Sequence, residues 1–327
     1  MNILITGAGS VMGQSIYKAL TMHDFSEKIE VHFSNSELIG AGRYFNHPSV
    51  KVVCAPIFPL AVDSDYESHL EEYIRINNID IVFSGTQHEL AKISKYRDKF
   101  GNAATIPSNI AEICMDKVQT AAILSKYGVR VPLTCTLKDY VNNHLNDQHC
   151  VVVKPNHSSS SRKIFVNNSR EDVLRLLDEN TLNQDGFLVQ EQLYGDEYTC
   201  GCYIDRYTKD MNHIIFKRTL TPDGATSYGE IVVDDSITDY LKSVCNALVE
   251  EGLDFGHVNV QLILTDNGPV LFEINGRLSS TEASKAYYGF NSCAAFIYNI
   301  VKEESYTGWS VASSGRFLRY YEELYFN

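Results

Sequence analysis

The chain has 327 residues, 44% of them hydrophobic, and a formal net charge of −13 without a long basic run. That length allows two or three domains, each with its own core. The charge excludes nucleic acid or an anionic membrane as a partner held by bulk attraction. The eight cysteines are scattered and form no CxxC pair, so free thiols in a reducing cytosol are the simplest account. Met1 runs straight into strand-like NILITG, with no leader pattern and no apolar run long enough to cross a bilayer. A cytoplasmic chain without a membrane partner is expected.

Asn2–Thr6 reads as a short apolar strand. It enters the turn Gly7-Ala8-Gly9-Ser10-Val11-Met12-Gly13 and then a helix to about Met22. Strands at Ile29–Ser34, Val50–Cys54 and Asp80–Ser84, with a helix at Tyr66–Asn77, imply a parallel sheet flanked by helices. The glycine spacing is GxGxxxG, not the GxGxxG of the dinucleotide fingerprint, and the expected acid comes late, at Glu37. A nicotinamide-dependent oxidoreductase is therefore the lesser reading. The greater is a tight turn that walls an acceptor site together with Gly85-Thr86-Gln87-His88-Glu89. Glu89 reads equally well as a solvated acid at a helix start.

The pattern restarts near Pro107. Ser108-Asn109 is placed to cap one helix over Ile110–Tyr127, with Asp116 and Lys117 inside it. Cys150–Val153 is a buried-strand pattern stopped by Lys154-Pro155. A serine-rich polar loop then leads to a strand at Ile164–Asn167. A helix over 170–180, a strand at Phe187–Glu191, antiparallel β from Glu197 to Phe216 and a helix at Thr238–Gly252 follow. The closing segment Ser310–Tyr325 mixes strand and helix signals.

The most informative stretch is GHVNVQLILTDNGPVLFEINGR, Gly256 to Arg277. A three-residue loop centred on Asn267 puts Gln261 opposite Glu273 and Asn259 opposite Asn275. Alternation places these four on one face and Val260, Leu262, Phe272 and Ile274 on the other, as core. A carboxylate among amides suits Mg²⁺, which takes oxygen ligands. The same face also reads as the solvated side of an edge hairpin. Lys154 is either a point charge for phosphate or a snorkelling edge residue. The serine loop is either a phosphate cover or a surface tip. Gln190 to Tyr198 leaves a strand as an extended linker whose main chain can pair with a purine edge. Glu197 there either meets ribose hydroxyls or is simply solvated.

In series, the motifs DK, VVVKP, VQEQLYGDEYT, FKR, NVQLI and VLFEINGR closely resemble the ATP-grasp superfamily. The nearest branches are the carbamoyl-phosphate-synthase-like proteins and the carboxylate–amine ligases. The resemblance covers the whole chain and implies an α/β and α+β architecture. A Rossmann-like pre-ATP-grasp domain over 1–108 would precede a two-subdomain ATP-grasp fold over 109–327. Residues 109–190 would carry the phosphate-covering lid and 191–327 the metal-binding face.

The resemblance also implies roles. Lys117 and Lys154 would contact ATP phosphates, with Ser159 and Ser160 of the lid and Lys217 also at the nucleotide. Glu191 and the backbone at Leu193 would read adenine, and Glu197 would bind ribose. Gln261, Glu273 and Asn275 would hold Mg²⁺, as two ions, with Mn²⁺ as a substitute. Arg277, Arg218 and Lys154 would be the catalytic set, Arg277 stabilising the transferred phosphoryl group or the acyl phosphate and Arg218 lying near the phosphates or the carboxylate substrate. The implied reaction activates a small-molecule carboxylate as an acyl phosphate, which an amine then attacks. Clustering of Arg218, Arg277 and Arg316 at a cleft would favour a substrate with a free carboxylate. Residues 156–161 depart from the family's glycine-rich lid in having no glycine. A non-catalytic nucleotide-binding protein is therefore kept as another reading. Tyr320, Tyr321 and Tyr325 leave a homodimer open, packing back on their own domain being the commoner arrangement.

Overall fold

The computed structural model describes residues 1–38, 40–143, 150–157, 163–179, 181–182, 184–222 and 224–325. The first sheet is parallel. It is built from β1 (Asn2–Ile5), β2 (Ile29–Asn35), β3 (Val50–Ile57) and β4 (Ile81–Phe83), in the order β3-β2-β1-β4. Helices α1 (Val11–Thr21), α2 (Tyr66–Asn77) and α3 (Leu90–Phe100) flank it. Ile3, Leu4 and Ile5 are fully buried because both faces of β1 are covered. Ile3 and Ile5 face α1, whereas Leu4 joins Leu70 and Ile74 of α2 and Ile93 of α3. At Gly7 the chain takes φ +52°, and a Cβ there would collide with Thr86. The turn therefore requires glycine.

The single helix expected over Ile110–Tyr127 is two helices, α4 (Ser108–Met115) and α5 (Lys117–Lys126). Asp116 breaks it. Its backbone is extended, and its side chain accepts from Gln119 N at 2.9 Å, so it caps α5. Apolar periodicity runs across this break because α4 and α5 bury Ile110, Ile113 and Leu124 against one core. The expected cap at Ser108-Asn109 is also corrected: Pro107 holds the N-cap position of α4 and makes no side-chain bond.

A second, antiparallel sheet has the order β5-β8-β6-β7. It combines β5 (Thr134–Thr136), β6 (Val151–Pro155), β7 (Phe165–Asn168) and β8 (Phe187–Glu191). Helices α6 (Leu137–Asn143) and α7 (Arg170–Asp178) belong to this unit, and its small core holds Leu137, Tyr140, Val151, Val153 and Val173. A capping box between Ser169 and Asp172 starts α7.

The third sheet is six-stranded, in the order β13-β12-β9-β10-β11-β14. Its strands are β9 (Asp196–Ile204), β10 (Met211–Leu220), β11 (Thr226–Ile231), β12 (Gly256–Thr265), β13 (Gly268–Asn275) and β14 (Arg316–Leu318). Helix α8 (Asp235–Glu250) covers one side with α4. On the other, α10 (Ser292–Ile300) packs with α1, and α9 (Glu282–Tyr287) also meets α1. The first sheet thus shares a core with the third through Ile3, Phe83, Tyr203 and Phe296.

The hairpin of β12 and β13 has the expected pairs, Asn259 with Asn275 and Gln261 with Glu273, but a different cause. The loop has only two residues, Asp266 and Asn267, closed by Thr265 opposite Gly268. The register then shifts, since Leu262 pairs with Leu271 and Gln261 with Glu273. Phe272 is the extra residue of a β-bulge, and the short turn and the bulge cancel. The assignment of Phe272 to the core is therefore corrected. Leu271 takes the core place, and Phe272 faces the cleft.

Candidate active site

A cleft opens between the second and third sheets, around a cavity of about 380 Å³. Its lining includes Lys117, Lys154, Glu191, Leu193, Glu197 and Arg218, together with Gln261, Glu273, Asn275 and Arg277. Strand alternation delivers the third-sheet residues: Thr199 lies opposite Gln261 and Gly201 opposite Asn259 in the β9–β12 ladder. This polar face is not the solvated side of an edge hairpin, because Asn259 and Asn275 are 2% and 6% exposed.

Lys154 leaves β6 and donates to the Phe272 carbonyl at 3.2 Å, over the Phe272 ring. Burial pulls its pKa down to about 8, with Lys117 adding to the fall and Glu273 opposing it. Lys117 opens α5, where the Asp116 break places it. Its Nζ lies 3.8 Å from Glu273 Oε1 and donates to Asn156 O at 3.2 Å. Two buried cations therefore converge on one carboxylate. At the other end, Arg218 donates from Nε to Glu197 Oε1 at 3.0 Å and from Nη2 to Gln261 Oε1 at 2.8 Å. Glu191 pairs its main-chain N–H with Leu133 O at 2.8 Å, and its carboxylate accepts from Leu133 N at 3.2 Å.

A second cavity of about 320 Å³ continues from Arg218, Gln261, Asn275 and Arg277 toward the first sheet. Ser10, Met12 and the Gly85–His88 segment wall it, as does Ser279–Thr281. Arg277 bridges the two sides: its Nε donates to Gln87 Oε1 and its Nη1 to Leu278 O at 3.0 Å. No carboxylate lines this cavity among the described residues.

The remaining site expectations fare unevenly. Alternation along β10 turns Lys217 away from Arg218. Lys217 is half exposed, pairs with Asp196 at 2.6 Å and lines neither cavity. Arg316 also lies outside both, exposed on β14 and paired with Glu230 at 3.0 Å. Ser159 and Ser160 fall outside the described residues. Glu89 is buried, not solvated, and accepts from Tyr66 Oη and Thr86 Oγ1. Tyr320, Tyr321 and Tyr325 stay exposed and do not pack back.

Sequence reasoning missed a buried polar cluster behind the second cavity. Lys285 Nζ, fully buried, donates to Asn259 Oδ1 at 2.9 Å, Ser279 Oγ at 3.0 Å and Glu282 Oε1 at 2.8 Å. The cluster holds Asn259 and the Ser279 loop in place. One faint signal was available, a Glu–Lys pair three residues apart in TEASKA.

Four amides of the glycine turn are engaged within the chain. Ala8 N donates to Ser34 O, Gly9 N to Asn35 Oδ1, Ser10 N to Gly7 O and Gly13 N to Ser10 Oγ. The 3₁₀ segment Ala41–Tyr44 packs over it, and a Cβ on Gly42 would lie 2.9 Å from Ala8 Cβ. A dinucleotide pyrophosphate would need the space and donors that the chain itself uses.

The ATP-grasp domain family matches residues 114–281, just over half of the chain. The chain belongs to the ATP-grasp family. It is 24% identical over 263 residues to phosphoribosylamine–glycine ligase of Methanococcoides burtonii, covering 72% of this chain. The match spans 60% of that relative's length. Among solved structures, the L-amino acid ligase from Bacillus licheniformis superimposes with a TM-score of 0.69 at 18% identity, covering 92% of this chain and 74% of that one. N5-carboxyaminoimidazole ribonucleotide synthetase from Thermus thermophilus gives 0.72 at 11% identity, covering 97% and 82%. At these identities the likeness is one of fold. In this ATP-grasp protein the first sheet is the Rossmann-like part, and the second and third sheets are the two halves of the grasp. No helix among the described residues is long and apolar enough to cross a membrane.

Proposed function

We propose that this protein is an ATP- and Mg²⁺-dependent carboxylate–amine ligase acting on small molecules. The observation that carries the reading is the convergence of Lys117 and Lys154 on Glu273, beside Gln261 and Asn275, in one cleft of the grasp. The donor set fits the expected groups: amide and carboxylate oxygens suit Mg²⁺, and buried lysines suit phosphates. Mg²⁺ held at Glu273, Gln261 and Asn275, as two ions with Mn²⁺ as a substitute in this reading, would supply positive charge to the phosphates. The Rossmann-like domain would end at residue 108, where the grasp begins.

The chain's own residues would do the rest. Glu191 and the Leu193 main chain would hold adenine, and Glu197 the ribose, once Arg218 releases it. Lys117 and Lys154 would fix the phosphates. Arg277, anchored on Gln87, would orient the substrate carboxylate. A carboxylate oxygen attacks the γ-phosphorus, the bond to the bridging β–γ oxygen breaks and ADP leaves. The amine nitrogen then attacks the acyl carbon, the carbon–oxygen bond to phosphate breaks, and the nitrogen gives up a proton. Alignment and charge neutralisation are the protein's contribution.

Incubation with ATP, Mg²⁺, an amine and panels of carboxylic acids should release ADP and phosphate in an acid-dependent way. Release of AMP and pyrophosphate, or no dependence on the acid, would overturn the reading. A non-catalytic nucleotide binder would bind a non-hydrolysable ATP analogue and turn over none of the panel.

A further inference from the structure

A third cavity, of about 280 Å³, lies at the carboxyl end of the first sheet. That end is where open parallel sheets place ligands. The cavity shares Thr86 and His88 with the second one, so the two lie on either side of a single pair of residues. One wall is apolar: Phe58, Leu60, Ala61 and Val62, from the segment after β3. Leu60 and Val62 are 54% and 83% exposed and form its rim. The opposite wall is the end of β2 and the residue after it, Ser34 to Ser36, with the Asn35 side chain turned to the glycine turn, where it accepts from Gly9 N at 2.6 Å.

The lining also restricts the charge of an occupant. Among the described residues it contains no lysine or arginine, and its one carboxylate, Glu89, is locked by Tyr66 and Thr86. Burial pushes the Glu89 carboxyl up toward its neutral form. The neighbouring glycine turn uses the amides of Ala8, Gly9 and Ser10 within the chain. The remaining titratable group of the lining, His88, is exposed at the ledge, so the apolar wall offers a charged group no side-chain partner. The volume falls just under the ~300–1,000 Å³ of whole-ligand sites, as suits part of a molecule whose remainder lies elsewhere.

We propose that this cavity receives an uncharged, largely apolar tail of the carboxylate substrate. The substrate would cross the Thr86–His88 ledge with its acid end in the second cavity. This inference rests on the ligase reading for the position of the acid. It narrows the substrate class to acids extended by a neutral apolar group.

The test is calorimetric titration of the full chain with N-acylglycines from acetyl to hexanoyl, with Mg²⁺ and a non-hydrolysable ATP analogue present. Affinity should rise about fourfold for each added methylene that becomes buried. Ala61→Trp and Val62→Trp should each flatten that rise and leave affinity for the ATP analogue unchanged. Val62 is exposed enough that its variant will fold even if Ala61→Trp does not. No binding by any member, no dependence on acyl length, or a rise that the tryptophan variants leave intact would overturn the inference. Hydroxamate formation with ATP and hydroxylamine reads the ligase activity separately. Length-dependent binding without hydroxamate supports the tail pocket and refutes the ligase reading. Hydroxamate from short acids without length dependence does the opposite.

Discussion

His257 and Glu282 are two buried residues that make this chain sensitive to acid. Burial holds the His257 imidazole down at about 3 from its ordinary 6.5, against the pull of Glu282. Burial pulls Glu282 upward, but Lys285, His257 and the Ser279 bonds outweigh it and leave the carboxyl at about 2. In both cases the unfolded chain takes up its proton at a higher pH than the folded one. Stability therefore falls as pH drops, from 6.5 for His257 and from 4.5 for Glu282. Thermal melts against pH should show this decline, and His257→Gln should flatten its upper limb. At the cleft, Glu273→Gln preserves shape and removes charge. It should leave the melting temperature within a few degrees and lower ATP turnover by roughly two orders of magnitude or more, the scale of losing about 3 kcal/mol of charge stabilisation. Activity retained by that variant would show that Glu273 is a passive wall.

Helices and strands position these groups by irregularities, not by their regular parts. Asp116 ends one helix and caps the next, which sets Lys117 at a helix start facing Glu273. Asp116→Ala should cost about 1 kcal/mol of stability. It should also weaken ATP-analogue binding by roughly three- to tenfold, since Lys117 loses its fixed origin. Equal affinity in the two proteins would detach the cap from the site. In the hairpin, the bulge at Phe272 gives Lys154 both a carbonyl and a ring to rest on. Neither irregularity is legible in the residue pattern. A period-of-two pattern is indifferent to one inserted residue when a shorter turn compensates, and a helical stripe continues across a cap when both helices face the same core.

At the scale of the molecule, Arg277 ties the grasp to the first sheet through Gln87, and Lys285 backs the same cavity from behind. Ligands that bind only the folded chain should stabilise the first and third sheets together, because the two share a core. An ATP analogue with Mg²⁺ at a hundred times its dissociation constant should add about 2.7 kcal/mol, several degrees in the melt. NAD and NADP should give no shift, because the amides of Ala8, Gly9, Ser10 and Gly13 are engaged within the chain and the segment at Gly42 packs against Ala8. A dinucleotide shift without an ATP shift would reverse the functional reading.

Local periodicity was enough for the alternating first sheet and the lysine at the end of β6, since strand alternation acts over a few residues; the β12–β13 pairs match expectation only because a shorter turn and a bulge cancel. Motif order was enough for the family. Which side chains meet was decided only by tertiary packing. Lys217 and Arg218 are neighbours in sequence, yet the cleft takes one and solvent the other. Arg316 belongs to the surface because β14 adds to the far edge of the sheet. Lys285, Glu282 and Asn259 form a network because α9 docks under β12, a contact that no local pattern encodes. Long-range burial sets the charge states and open volumes of this site, and burial is a property of the folded chain.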